Sequence, residues 1–371
     1  MTRAKREACY PLRKKHAIQK LTVKDAAQLL IRFFCLNYSF SVVCNLGPLG
    51  DVLYLSRADV EKLRIPIEEI IQVVEEAFCE KAMGRTEVPP KPGIHPQEDA
   101  FIHAMPAYLP KMRAAGVKWV SGFSANPGRG LPYISGLLIL NDIETGFPVC
   151  VMDCTWITAK RTGAATAVAA KHLAKEDSKV LGILGCGAQG RSNLEALKTV
   201  CKDLEEVKAY DISEENLRKY VEEMTAKHGL KIIPVHSPRK AVENCDILVT
   251  AGPILKHSQP VIEKFWFKSG GFACALDFDS YWKPEAMRSM TKFCTDDRDQ
   301  LEYYRTQGYF SDIPKVYADL GEIVSGKKLG REDSKERILT MNLGLAIEDI
   351  ATAILVYEKA RKARVGTRLP L

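Results

Sequence analysis

Three groups of residues in this 371-residue chain have types and spacings that suit one chemistry. The first is Gly185-Cys186-Gly187-Ala188-Gln189-Gly190, which follows the short apolar run Lys179–Leu184 and opens a helical pattern. Gly185 permits a sharp turn, Gly187 lets the backbone approach a pyrophosphate, and Gly190 lets the helix pack closely on the strand. The helix N-terminus adds partial positive charge. Asp211 ends the next strand-like run, 21 residues beyond Gly190. An acid at that spacing accepts hydrogen bonds from both adenosine ribose hydroxyls and repels a 2′-phosphate. The pattern predicts a dinucleotide cofactor, NAD rather than NADP. Its site would comprise Gly185, Gly187, Ala188, Gln189, Gly190 and Asp211, with Thr250 and Ala251 at the end of the run Asp246–Ala251. The alternative is a ligand-free tight turn, with Asp211 as a turn or helix-capping residue.

Nicotinamide chemistry needs an anchored substrate and a proton donor or acceptor beside the carbon that exchanges hydride. Lys118 stands in the strand-like run Gly116-Val-Lys-Trp-Val120, where alternation puts it on the opposite face from Val117 and Trp119. Arg161 lies in the helical segment Ile157-Thr-Ala-Lys-Arg-Thr-Gly163, among small residues. Either suits a substrate carboxylate, and a guanidinium would hold one bidentately. A snorkelling lysine and a structural ion pair are the alternatives. Asp277 and Asp279 follow a buried-looking strand, Phe272–Asp277. Ligands bind at the carboxyl ends of such strands, where a half-desolvated acid can exchange a proton with an amine. A cap on the helix near Pro284 is the other reading of these acids.

The elements that must position these groups come in two grammars. Ser56 and Asp59 form a capping-box-like start, Pro66 suits the first turn of the next helix, and Ile67, Ile70, Ile71, Val74, Ala77 and Phe78 follow helical spacing up to Gly84. Strand-like runs at 100–105, 116–123, 134–141 and 147–153 follow, the last two joined through Asp142-Ile-Glu-Thr-Gly146, so they must be antiparallel. An alanine-rich helix runs from Thr155 to about Ala174. Strands and helices then alternate, the signature of a Rossmann-type doubly wound parallel sheet. Beyond Tyr317 the pattern turns helical, with a stripe from Leu343 to Tyr357 on one long helix. The fold class is thus α/β: a Rossmann-type sheet over 175–334, and an α+β domain with an antiparallel sheet over 51–174, to which a C-terminal helix over 335–364 returns.

Charge and composition narrow the partners. The formal charge of +7 equals the excess within residues 1–24, so the body of the chain is neutral and a nucleic-acid partner is not expected. No apolar run is long and uncharged enough to span a membrane. Eleven cysteines with no CxxC pair suit neither a disulfide framework nor a zinc site, so no metal is expected and a reducing cytoplasm fits. Residues 1–50 read as a weakly ordered extension, with an organelle address or a structured appendage as alternatives.

The ordered set of motifs resembles the ornithine cyclodeaminase and mu-crystallin family from about Val52 to Arg364. It comprises Met105-Pro-Ala-Tyr108, Gly116-Val-Lys-Trp-Val120, Gly130-Leu-Pro132, Asp142-Ile-Glu-Thr-Gly146-Phe-Pro148, Thr158-Ala-Lys-Arg161-Thr-Gly, Ala169-Ala-Lys-His-Leu173-Ala, the glycine turn and Asn342-Leu-Gly344-Leu-Ala-Ile-Glu-Asp349. The resemblance implies a homodimer built through the antiparallel sheet, with a dinucleotide in the Rossmann domain. It also implies that Lys118 and Arg161 hold a substrate carboxylate, with Lys91 where the family has another arginine, and that Asp279 handles the proton at the amine. Asp277-Phe278 replaces the family's small glycines, and Tyr133 replaces its usual threonine, so the side-chain pocket differs from that for ornithine. The implied reaction moves hydride between the α-carbon of an amino or imino acid and nicotinamide. An amino-acid dehydrogenase or imine reductase is the leading expectation. A redox-neutral cyclodeaminase that releases ammonia, and a non-catalytic protein that binds a small ligand, are the alternatives.

Overall fold

The computed structural model describes residues 50–371 apart from 256 and 258, so the expected N-terminal extension lies outside the described residues except for its last position. The first half runs β1 (Asp51–Leu55), α1 (Arg57–Lys62), α2 (Ile67–Ala82), β2 (Gly93–Ile94), β3 (Ala100–Leu109), β4 (Ala114–Phe123), β5 (Ile134–Asn141), β6 (Pro148–Asp153) and α3 (Thr155–Leu173). Then come β7 (Val180–Leu184), α4 (Ala188–Val200), β8 (Glu206–Tyr210), α5 (Glu214–His228), β9 (Lys231–Pro234), α6 (Pro238–Val242), β10 (Ile247–Thr250) and β11 (Phe272–Ala275). The chain closes with α7 (Pro284–Arg288), β12 (Lys292–Thr295), α8 (Arg298–Thr306), β13 (Ala318–Asp319), α9 (Leu320–Val324), β14 (Ile338–Met341), α10 (Ala346–Ala363) and β15 (Thr367–Pro370).

The first sheet has the order β15-β1-β6-β5-β4-β3-β2. It is antiparallel apart from the β1–β6 pair. The Asp142 carboxylate accepts the Thr145 N–H at 2.9 Å, and Gly146 turns through φ +72°, which closes the β5–β6 hairpin. One face of this sheet is covered. Lys118 is in register with Met105 on one side and Leu138 on the other, and Leu138 with Met152. All four are buried, and α10 packs across β3, β4 and β5. The opposite face carries Trp119 against Leu137, both about half exposed.

The second sheet has the order β13-β12-β14-β11-β10-β7-β8-β9 and every pair is parallel, the doubly wound arrangement expected. Its strands are short and apolar because helices cover both faces. One strand departs from the expected helix over 335–364: Ile338–Met341 pairs in the middle of this sheet, between β11 and β12, and only from Ala346 does the chain return as a helix to the first sheet. Four consecutive apolar residues carry no periodicity that separates a buried strand from a buried helix.

Local chemistry explains the other boundaries. The Ser56 and Asp59 side chains cap each other's backbone at the start of α1, as expected. Pro66 sits one position before α2, at its N-cap, and the expected stripe of α2 is buried throughout. Asp153 accepts the Thr155 N–H at 3.0 Å, satisfying one of the free donors of the first turn of α3. Along α3, Gly163 is essential to packing: a Cβ there would lie 2.5 Å from the Ser192 carbonyl oxygen of α4. The two helices cross that closely, which carries the Arg161 turn of α3 to the start of α4.

Candidate active site

The glycine turn has the geometry a dinucleotide requires. Gly185 is left-handed at φ +101°, with its missing Cβ against the Ala251 carbonyl oxygen at 2.5 Å. A Cβ at Gly190 would lie 2.3 Å from the Gly185 oxygen, so α4 sits directly on the strand end. Nothing approaches within 4 Å of the Cβ position of Gly187, which leaves its backbone open. These residues fit a pyrophosphate: an unobstructed glycine precedes a helix of 13 residues whose first-turn N–H groups carry partial positive charge. Asp211 is half-buried; its Oδ2 accepts the Cys186 N–H at 2.8 Å and its Oδ1 the Ser213 N–H at 2.8 Å. It therefore ties the glycine turn to the end of β8, and the cap of α5 is Ser213. Gln189 directs its amide nitrogen to the Thr158 carbonyl at 3.5 Å, while its buried Oε1 has no partner.

Thr250 is fully buried and donates to Asp277 Oδ1 at 2.7 Å, and Gly252 N–H donates to Oδ2 at 2.9 Å. Asp277 thus locks the ends of β10 and β11 together. Burial pushes its carboxyl up to about 7, against the pull of the Thr250 and Gly252 bonds. Of the two acids after β11, Asp279 is the accessible one. It is half-buried, and burial raises its pKa while the N–H dipoles of Asp279 and Phe310 oppose the shift. It caps no helix, since α7 begins at Pro284 after Lys283.

Lys118, Arg161 and Lys91 come together in one buried cluster. Lys118 Nζ lies 2.7 Å from the Asp349 carboxylate and 3.4 Å from Thr158 Oγ1. Arg161 contacts Glu348 through Nη1 at 2.6 Å and Asp349 through Nε at 2.9 Å. Lys91 donates to the carbonyls of Leu343 at 2.6 Å and Gly344 at 3.2 Å, and its ammonium faces the Tyr304 ring at 5.4 Å. Burial, then the charge of Arg161, brings Lys91 down to about 7. Burial also lowers Lys118, although Asp349 opposes the shift. Burial works against Arg161 as well, but Asp349 and Glu348 outweigh it and keep the guanidinium charged.

Asp279 is not a member of that cluster. It borders an aromatic wall in which the Phe278 ring packs on Tyr304 (5.0 Å), Tyr309 (5.4 Å) and Phe310 (4.9 Å). Tyr304 is the ring that Lys91 faces, so the wall runs from the cations to the acid. Burial, then the charges of Asp99 and Asp279, raises the Tyr309 hydroxyl, and burial, then Asp99 and Tyr309, raises that of Tyr133.

The sequence reading assigned no role to Asp296, Gly344, Glu348 or Asp349. Three of them lie inside the motif Asn342–Asp349, which served only to carry the family resemblance. Asp296 follows β12 in the same way that Asp277 follows β11, and strand-end position was the signal that could have found it.

The ornithine cyclodeaminase/mu-crystallin family model matches residues 51–364. An alanine dehydrogenase from Archaeoglobus fulgidus is 38% identical over 327 residues, covering 86% of this chain and 98% of that protein. Among solved structures, the Δ1-pyrroline-2-carboxylate reductase of Thermococcus litoralis, in complex with NADH and L-proline, is 39% identical with a TM-score of 0.78, covering 85% of this chain and 99% of its own. An archaeal alanine dehydrogenase dimer with bound NAD is 36% identical with a TM-score of 0.77, covering 86% and 99% of the two chains. With the glycine turn, the cation cluster and the matched span in agreement, the chain belongs to the ornithine cyclodeaminase/mu-crystallin family.

Proposed function

We propose that this protein is an NAD-dependent oxidoreductase that moves hydride between the α-carbon of an amino acid, or the matching imino acid, and nicotinamide, working as an amino-acid dehydrogenase or imine reductase. The observation that carries this reading is the convergence of Lys91, Lys118 and Arg161 in one buried cluster on the far side of an aromatic wall from a half-buried acid. Bound NAD supplies a hydride acceptor; the glycine turn and Asp211 would hold it. The cations neutralise the substrate carboxylate, with the Arg161 guanidinium offering its Nη2 edge. Asp279 takes a proton from the ammonium, and burial, by raising its pKa, makes it the stronger base. Tyr133 and the rings around Phe278 enclose the side chain and exclude water. Small or cyclic amino acids fit that enclosure better than side chains ending in a second amine, since the walls named here are rings.

We assign the cofactor to the parallel sheet, and substrate anchoring and dimerisation to the first sheet with α10. The exposed sheet face supports a homodimer: Val117, Ile139, Val151 and Tyr54 share one register row, with Trp119 and Leu137 beside it. The cysteines among the described residues that are recorded as free, eight in number, are all buried, in keeping with a cytoplasmic setting. No described helix is long and apolar enough to cross a membrane.

The test is a panel of L-amino acids and cyclic imines that includes L-alanine, L-proline and L-ornithine, with NADH absorbance and ammonia followed together. NADH formed in proportion to substrate supports the reading. Ammonia without net NADH indicates cyclodeamination, and tight dinucleotide binding without turnover indicates a binding protein. Asp279→Asn should retain NADH binding and lose turnover by at least 10²-fold, the upper part of the usual range for one proton-transfer group being ~10⁴; near-normal rates would remove Asp279 from its role.

A further inference from the structure

The cation cluster contains as many acids as cations. Lys91, Lys118 and Arg161 are enclosed with Asp296, Glu348 and Asp349, and none of the six is more than 8% exposed. With all six ionised the cluster is neutral, and a substrate carboxylate would leave it with an uncompensated negative charge in a dry site. Burying such a charge without a partner is strongly unfavourable, so one acid must carry a proton when substrate is bound to the fully charged cations.

The contacts select which acid. Asp349 touches two cations, Lys118 at 2.7 Å and Arg161 at 2.9 Å. Glu348 touches Arg161 at 2.6 Å and accepts the Leu345 N–H at 3.0 Å. Both are paired with cations, and in Glu348 the Arg161 charge opposes the rise that burial causes. Asp296 forms no ion pair with any described residue. Its Oδ2 accepts the Gly344 N–H at 2.6 Å, and the Leu343 N–H also faces the carboxylate. Thr295 Oγ1 donates to the Met341 carbonyl at 2.9 Å and lies farther, at 3.4 Å, from Asp296 Oδ1.

We propose that Asp296 is a positioning residue of the carboxylate site: it stands among the three cations as their neutral acid, so that the site presents one surplus positive charge and takes one carboxylate. It acts through Lys91 and Arg161, which it faces from the end of β12, and through Gly344, which it holds against the guanidinium. The other groups facing it are Glu348 from α10, Cys274 from β11 and its neighbour Asp297. Burial, then the charge of Glu348, raises Asp296 to about 7, in the direction the charge count demands. Above that pH the surplus charge disappears, and carboxylate binding weakens. This inference rests on the reading of Lys118 and Arg161 as a carboxylate site.

The test uses pyrrole-2-carboxylate, a carboxylate without a basic nitrogen, binding to the protein–NADH complex between pH 6.5 and 8.5. For a group ionising at about 7, linkage weakens binding about 15-fold between pH 7 and 8.5. Asp296→Asn keeps an acceptor for the Gly344 N–H and cannot ionise. Its dissociation constant should lose the Asp296 share of the pH dependence and keep only what Lys91 contributes, while a merely structural aspartate would leave the full dependence of the parent in place. Wild-type pH dependence in Asp296→Asn, or no pH dependence in the parent, overturns the inference alone. If Arg161→Lys leaves pyrrole-2-carboxylate binding unaltered, the carboxylate site itself is misassigned, and the inference falls with it.

Discussion

Gly344→Ala gives the sharpest test of the carboxylate site, because the structure fixes both partners of the collision. Gly344 has φ +79°, a conformation that costs an L-residue roughly 1–2 kcal/mol. The added methyl would lie 2.6 Å from Arg161 Nη1 and 2.9 Å from Nη2. Reaching the 3.4 Å of ordinary contact requires a separation of about 0.8 Å more than the structure provides. The guanidinium cannot withdraw freely, since Glu348 and Asp349 hold it at 2.6 and 2.9 Å. Nor can the turn, since the Gly344 N–H is bonded to Asp296 and its carbonyl accepts from Lys91 at 3.2 Å and Gln300 at 3.1 Å. A displacement near 1 Å in a group that positions substrate costs ~10²-fold. Expected are a 50- to 100-fold loss in kcat/KM of about that order, carried mostly by KM for the amino acid because the contact exists in ground and transition states alike. NADH binding, read by fluorescence, should be unchanged, and Tm should fall by a few degrees. A KM within twofold of the parent would show that Arg161 does not hold the substrate.

Asp211→Ala removes the acceptor for the Cys186 N–H together with the proposed ribose ligand. NADH should weaken about tenfold or more, the worth of one or two hydrogen bonds to a charged acceptor, and NADPH by less; equal losses would leave Asp211 a turn anchor only. Trp119→Glu with Leu137→Lys should convert a dimer to monomers in sedimentation velocity, and a dimer that survives would place the interface elsewhere. Asp277 bears on stability. Its folded pKa of about 7 lies above its ordinary value of 3.8, so the folded chain keeps a proton that the unfolded chain releases. The associated stability is fully present below about pH 4 and is lost as pH rises through about 7. Relative to the parent, Asp277→Asn should therefore gain in Tm steadily between pH 4 and 7, whatever fixed cost the lost Gly252 bond imposes; parallel curves would refute the shift.

The readable parts of the sequence were those governed by local rules. The glycine turn is legible because each glycine answers to a backbone clash that any side chain would make. Lys118 is legible because alternation in a strand sorts faces without knowledge of the partner strands. The stripe of α2 and the hairpin at Asp142 follow from periodicity and turn chemistry alone. What could not be read depends on contacts distant in sequence. Ile338–Met341 is a strand only because β11 and β12 flank it. Thr250 reads as a cofactor residue from its strand-end position, yet its hydroxyl is committed to Asp277, 27 residues away. Asp349 meets Lys118 across 231 residues, and no pattern along the chain announces that meeting.

The return of α10 to the first sheet explains how two of the three acids in the site come to be paired with its cations. Glu348 and Asp349 occupy its first turn, where the unsatisfied N–H groups of the helix favour carboxylates. The same turn is held from below, since the Leu345 N–H is capped by Glu348 itself. Helix geometry thus supplies part of the counter-charge that Lys118 and Arg161 need to remain buried and protonated. Asp296 touches no cation: it follows a strand of four residues and accepts the backbone N–H groups of Leu343 and Gly344. A cluster built from both kinds of position has unequal acids by construction, and the weaker-held one is free to trade its charge against that of an arriving carboxylate. The fold therefore places the acid without a cation partner at the end of the parallel sheet and the cation-paired acids on the helix. Moving an acid from one to the other would change what the site binds without altering its shape.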